Sequence, residues 1–415
     1  MTLSGVQRPT TGLPMAEPEE VGFSSQRLAR IRPAMQKYID SEMVPGTVTV
    51  VARHGRIVHF ETQGLMDVEA NKAMMPDAIF RIASMTKPIT CVALLMLYEE
   101  GHFLLDQPIS KFLPAFKNPV VLTKSGKTVP AHREINFRDC MTHTAGFSAA
   151  AYGRIMGRRG GPQVVGGPQP DPNTPGETVA EWVDRLAKVP LNFQPGTDWE
   201  YHPGLDVTGV LVETISGQTL DDFFRERIFE PLGMVDTHFY LPAEKLPRFT
   251  AGYGVDVKNG GRFALVDRPE TSAKVLGPKT VFSGGGGLLS TPADYARFAQ
   301  MLLNGGSLDG VQILGRKTVE LMTTSHTGDI TIYLRGPGYG HGFGVFVRKD
   351  LCSNPLVGSI GEYGWGGAFC TWYFADPKED LFGLFFTQVR DYGQNPDLVI
   401  RADFERMVYQ ALVGE

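Results

Sequence analysis

Three stretches of this chain carry groups able to do acyl-transfer chemistry. The first is Ser84-Met85-Thr86-Lys87, the only S-x-x-K in the sequence. It opens a run, Ser84 to Glu100, whose pattern predicts a helix closed by Gly101. Residues three apart on a helix are neighbours on one face, so the Lys87 amine comes within reach of the Ser84 hydroxyl. The helix start adds unpaired N–H groups and positive dipole character, both suited to a developing oxyanion. A serine hydroxyl needs such help because it is a weak nucleophile. Alone, the motif reads more readily as a surface serine and lysine on a helix.

The second is Tyr201, at the end of the turn Gln194 to Tyr201 that leads into a helical run near Leu205. A phenol beside an ammonium is a candidate base. Two unit charges ~4 Å apart interact by ~4 kcal/mol at an effective dielectric of 20, enough to ease loss of a phenolic proton. By itself Tyr201 reads as a half-buried structural tyrosine. The third is Tyr363-Gly364-Trp365-Gly366-Gly367-Ala368, read as entering a strand at Phe369 to Phe374. Glycines at a strand start let a ligand approach the backbone. The Ala368 N–H would then face a substrate carbonyl, with Trp365 as an apolar wall. The alternative is a glycine bulge beside a core tryptophan.

These pieces need a scaffold, and the hydropathy pattern supplies one. Thr47 to Arg53 and Arg56 to Thr62 flank His54-Gly55 as a β-hairpin. Leu28, Ile31, Met35 and Tyr38 form a helical stripe after Ser24 and Ser25, which Pro33 should kink or shorten. Helical patterns recur over Glu177 to Lys188, Leu205 to Ile215, Thr219 to Ile228 and Thr291 to Leu303. Two late strands, Phe369 to Phe374 and Leu381 to Val389, precede a terminal helix over Asp397 to Leu412. Strands therefore sit at both ends with helices between. The expected fold is α+β: an antiparallel β-sheet flanked by helices, with an inserted mostly helical domain. The boundaries read as 1–85 plus 275–415 for the sheet domain and 86–274 for the helical one, with the site between them. Within the insertion, 11 of the 20 residues from Gly157 to Gly176 are Gly or Pro, a long irregular loop that reads as a lid, a site wall or a surface insertion.

Composition excludes several function classes. The chain has 415 residues, 42% hydrophobic and 20% charged, enough for a sizeable core. Its net charge of −5 argues against a nucleic-acid partner. The longest apolar run, Cys91 to Tyr98, is far shorter than the ~20 residues of a membrane span. The four cysteines form no C-x-x-C pair, and the nine histidines form no H-E-x-x-H, so neither a metal nor another cofactor is expected. Free thiols and a start without an apolar leader point to the cytoplasm. No G-x-S-x-G elbow is present, which argues against an α/β-hydrolase.

Together the three motifs, in this order, resemble the serine β-lactamase and penicillin-binding-protein superfamily, and most closely the family VIII carboxylesterases, relatives of class C β-lactamases. The likeness covers about residues 20 to 412. It includes Met141-Thr142-His143-Thr144-Ala145-Gly146, Ile228 to Met234 and the glycine-rich Ser283 to Thr291. The resemblance implies a β-lactamase/transpeptidase-like fold. Ser84 would be the nucleophile, Lys87 its proton relay or electrostatic partner, and Tyr201 the base that also activates water. Which of Lys87 and Tyr201 takes the first proton stays open. The backbone N–H groups of Ser84 and Ala368 would form the oxyanion hole, and Trp365, Gly366 and Gly367 would contact substrate.

Two departures bear on substrate. Penicillin-recognising relatives carry Tyr-x-Asn where this chain has Tyr201-His202-Pro203, and their K-T-G lysine is replaced by Trp365-Gly366-Gly367. A tryptophan wall favours an uncharged acyl or alkyl group over a carboxylate. The expected activity is therefore that of a carboxylesterase on small, short-chain esters, with slow β-lactam hydrolysis left open. The alternatives are a β-lactamase or D-amino-acid peptidase, an acyltransferase, and a non-catalytic binding protein of the same fold. His341 is a candidate pocket residue, and His202 a solvated or structural one.

Overall fold

A computed structural model of the chain describes residues 12–148, 176–201 and 203–414. The Gly157 to Gly176 run, apart from Gly176, and His202 lie outside the described residues.

An eight-stranded antiparallel sheet forms the frame. Strands β1 (Gly46–Arg53) and β2 (Arg56–Asp67) make the expected hairpin over His54 and Gly55, both with positive φ (52° and 72°). The short β3 (Lys72–Ala73) closes one side. The rest of the sheet comes from the other end of the chain: β4 (Tyr339–His341), β5 (Phe346–Arg348), β6 (Tyr363–Gly366), β7 (Trp372–Asp376) and β8 (Leu381–Phe386). The order is β4-β5-β6-β7-β8-β1-β2-β3, so β1 lies against β8, with Val50 opposite Leu384.

Alternation assigns the two faces of β1. Val48, Val50 and Ala52 join one core, and Val51 joins the other. On the Val51 side the sheet is covered by α1 (Ile31–Asp40) and by a C-terminal helix, Ile400–Tyr409, through residues such as Met35 and Phe404. Pro33 lies in the first turn of α1, where its missing N–H costs nothing, and the preceding Ser25–Leu28 is a separate short helix. On the Val48 side lie α2 (Thr86–Glu99), α3 (Phe137–Thr142), α4 (Val179–Leu186), α5 (Gly204–Ser216) and α6 (Pro292–Leu303). Their apolar residues form one continuous core with the sheet. The stretch 86–274 also holds short β ribbons, Val120–Leu122 with Thr128–Pro130 and Gly252–Asp256 with Arg262–Asp267. With α7 naming Ile400–Tyr409, the layers read α1/α7, sheet, then α2–α6.

One expected strand is displaced. The segment from 369 does not start a strand; Tyr363–Gly366 is itself β6, and the chain turns before β7 begins at Trp372. Gly367 N–H donates to Thr371 O at 2.8 Å and Cys370, at φ 65°, donates to Gly367 O at 3.0 Å, which closes a tight turn. Ala368 therefore sits in the β6–β7 turn rather than along a strand edge.

Candidate active site

Ser84 lies in a single 3-10 turn, Ala83–Met85, that feeds directly into α2. The two-residue strand Phe80–Arg81, paired with Leu289–Ser290, anchors the approach. Ala83, just before the serine, has φ 44°, a left-handed conformation that side chains rarely adopt and that clusters at functional sites. The Ser84 N–H falls within the first turn, where backbone donors have no intrahelical acceptor.

Lys87 is 1% exposed, and burying an ammonium is tolerated only when its protons are satisfied. Its Nζ donates to Ser84 Oγ at 3.1 Å and to the carbonyl of Gly285. The Tyr201 hydroxyl lies 2.7 Å from Ser84 Oγ, and Lys87 Nζ is 4.8 Å from the centre of the Tyr201 ring. Alcohol, amine and phenol, far apart in sequence, thus meet at one point. Tyr201 is held by its backbone N–H donating to the Tyr333 hydroxyl at 3.2 Å and by the His143 ring, 4.7 Å away.

The Ser283–Thr291 stretch has a role in this corner that its composition did not disclose. Gly284 packs between α2 and α5: a Cβ there would meet Leu205 O at 2.5 Å and Thr90 Cγ2 at 3.0 Å. That close approach delivers the Gly285 carbonyl to Lys87. Behind it Asp206, fully buried on α5, accepts from Ser283 Oγ at 2.5 Å and from Gly285 N–H at 3.0 Å. Asp206 was missed from sequence. Its only signal was a carboxylate set in the apolar helical run Leu205 to Val212.

Across from this corner, Trp365 is 5% exposed and its ring centre lies 5.8 Å from that of Tyr201. His341 supports it edge-on at 5.0 Å. Burial pushes the His341 imidazole down to about 3, so the ring is neutral near pH 7. Its Nδ1 faces the Gly342 carbonyl at 2.6 Å, and a carbonyl only accepts, which places the proton on Nδ1. His341 stands behind the tryptophan rather than on the cavity surface. His143 belongs to the same ring cluster, 5.1 Å from His341.

A cavity of about 410 Å³ opens between these walls, lined by Ser84, Lys87, Tyr201 and Trp365 to Ala368. Its other surfaces are largely apolar, with Trp182, Val281, Leu334 and Phe346 among them. Two guanidiniums, Arg335 and Arg401, also reach it, and neither was singled out from sequence. Arg335 is neutralised by Glu405 at 2.9 Å and Glu362 at 3.5 Å. Among the described residues, no cluster of His, Cys, Asp or Glu is arranged to hold a metal ion, and no helix is long and apolar enough to cross a membrane.

Comparison with known proteins agrees with this architecture. Residues 31–405 match the Beta-lactamase family. Protein Rv1367c of Mycobacterium tuberculosis is 35% identical over 382 residues, covering 89% of this chain and 90% of that protein. Esterase EstB of Burkholderia gladioli is 29% identical over 388 residues, covering 90% and 93%. Among solved structures, EstCE1, described as a hydrolase with promiscuous acyltransferase activity, superposes with a TM-score of 0.74 at 25% identity, over 92% of this chain and 99% of that one. An α+β frame with an antiparallel sheet, a serine–lysine–tyrosine contact and a match over nearly the whole length lead to one conclusion: the chain belongs to the Beta-lactamase family, within the serine β-lactamase-like superfamily that includes the family VIII esterases it resembles.

Proposed function

We propose that this protein is a serine carboxylesterase that cleaves short-chain, uncharged esters through an acyl-enzyme. The observation that carries the reading is the convergence of the Tyr201 hydroxyl and Lys87 Nζ on Ser84 Oγ, at 2.7 and 3.1 Å, on the wall of a largely apolar cavity. The esterase names of relatives such as EstB support it.

In this reading Ser84 Oγ attacks the ester carbonyl carbon. Its proton passes to the Tyr201–Lys87 pair. The tetrahedral oxyanion accepts hydrogen bonds from the N–H groups of Ser84 and Ala368. The carbon–oxygen bond to the alcohol breaks, and that alcohol leaves with the proton held by the pair. Water then attacks the acyl-serine, Tyr201 takes its proton, and the carboxylic acid departs as Ser84 is restored. Trp365 packs on the acyl group, and Gly366 and Gly367 keep the wall beside it free of side chains.

The test compares wild type with Ser84→Ala on p-nitrophenyl acetate, butyrate and octanoate. Loss of turnover on all three is expected, and retained turnover overturns the assignment. Labelling of Ser84 by a fluorophosphonate separates an enzyme from a binding protein of the same fold. Faster turnover of nitrocefin than of esters would favour a β-lactamase. A second reading, acyl transfer to an alcohol, draws on the acyltransferase activity described for EstCE1. Ester products formed with added alcohol, in excess over free acid, would favour it.

A further inference from the structure

The side-chain half of this site was readable as a motif, whereas its backbone half depends on one peptide plane. The Gly367–Ala368 peptide carries the Gly367 carbonyl on one side and the Ala368 N–H on the other, because a trans peptide is flat and points these groups in opposite directions. Arg401, at the start of α7, donates from Nη2 to Gly367 O at 2.6 Å. Its Nη1 donates to the Tyr392 hydroxyl at 2.6 Å, and its Nε lies 3.5 Å from Cys370 O. The guanidinium also lies over two rings, 5.0 Å from the centre of Trp372 and 4.2 Å from that of Tyr392. It is thereby locked in place and grips the peptide from behind.

Two further observations give this grip a direction. First, among the described residues the Ala368 N–H makes no hydrogen bond, while Ala368 lines the cavity with Ser84. Second, among the described residues no ion pair joins Arg401 to a carboxylate, in contrast to Arg335 on the same cavity. The charge of Arg401 is therefore not cancelled locally. It sits on the carbonyl side of the peptide whose other side carries the Ala368 N–H. The bare backbone of Gly366 permits the arrangement, since a Cβ there would meet Arg401 Nη1 at 2.7 Å and Trp372 Cε3 at 2.6 Å.

We propose that Arg401 is a positioning residue for the oxyanion hole, fixing the plane of the Gly367–Ala368 peptide so that the Ala368 N–H meets the tetrahedral intermediate. The proposal rests on the esterase reading above. Arg401 bonds the peptide rather than Ser84, Lys87 or Tyr201, so its removal should weaken binding of the transition state more than binding of the ester.

The experiment uses the full chain carrying Arg401→Gln or Arg401→Lys, with p-nitrophenyl butyrate as substrate and an alkylboronic acid as the tetrahedral mimic. The expected result for R401Q is a fall in kcat of about 10- to 100-fold, the range of a weakened oxyanion donor. KM should change less than about threefold, and the boronate inhibition constant should rise in step with the loss in kcat. R401K keeps the charge but loses the planar fork, so it should lie between wild type and R401Q. A folded R401Q with unchanged kcat and boronate affinity overturns the proposal. So does a loss that appears in KM while boronate affinity stays at the wild-type value. If R401Q does not fold, R401K is read by the same criteria, and failure of both to fold marks a scaffold role and likewise overturns it. Ser84→Ala, assayed in parallel, separates the two failures: an active S84A sinks the esterase reading, whereas an inactive S84A beside an unimpaired Arg401 variant sinks only this one.

Discussion

The two walls of the cavity are built on different principles. The helical wall places three polar side chains, Ser84, Lys87 and Tyr201, in contact, with Asp206 and the Gly284–Gly287 run holding the lysine from behind. The sheet wall places no nucleophile or base. It offers a backbone N–H in a glycine-lined turn, a tryptophan surface and a guanidinium that holds the turn. On the first wall the identity of a few side chains is everything. On the second, what matters is the absence of side chains at Gly366 and Gly367 and the fit of large groups around them. The difference implies that the first wall fails by losing chemistry and the second by losing shape.

Substitutions of graded severity can break or sharpen that contrast. Ser84→Ala should lower kcat on p-nitrophenyl butyrate by at least about 10⁴-fold, since it removes the proposed nucleophile. Tyr201→Phe removes one hydroxyl and keeps the ring, and should cost about 10³-fold in kcat with little change in melting temperature. A normal rate for Y201F would shift the base role to Lys87. On the sheet wall, Gly367→Ala drives a Cβ into the Ile82 carbonyl and Thr371 Oγ1, so the turn must move. The expected loss is about 10²-fold in kcat, with a lowered melting temperature that Y201F does not share. Equal thermal stability for the two variants would erase the distinction between the walls. Trp365→Ala should change the octanoate-to-acetate preference by about tenfold and leave labelling of Ser84 by a small fluorophosphonate nearly intact.

The smallest effect concerns the support behind the tryptophan. His341 has its folded value pushed down to about 3 against 6.5 for an ordinary histidine, by burial first of all. A depressed value means that the unfolded chain binds the proton more readily. The stability contributed is therefore present above pH 6.5 and is lost as pH falls through that value toward 3. His238, lowered to about 4 mainly by burial, acts in the same direction. His341→Gln should flatten the fall of melting temperature between pH 6.5 and 4, as read by calorimetry across that range. An unchanged slope would mean that His341 titrates as it would in the unfolded chain.

Much of the frame was legible because it rests on short-range pattern. The β1–β2 hairpin, the helix closed by Gly101 and the capped helix after Thr291 follow from turn residues, periodicity and caps. The displaced strand near 369 shows where pattern ran out. The apolar run continues through Ala368 to Phe374, yet the chain turns, because Gly367 packs against the Ile82 backbone, far away in sequence. Arg401 and Asp206 were invisible for a related reason: a lone arginine early in a helix and a lone aspartate inside another carry no local signature, and their partners lie far away in sequence.

The amino-acid sequence by itself determined the fold class and the pairing of Ser84 with Lys87. Ser84 and Lys87 are one helical turn apart, so local geometry alone joins them, and alternation in the terminal strands dictates a two-sided sheet. Only the tertiary structure decided where Tyr201 stands relative to that pair, which peptide faces it, and what holds that peptide. Those relations are made by contacts between distant segments, whose distances follow from packing of the whole core rather than from any local preference.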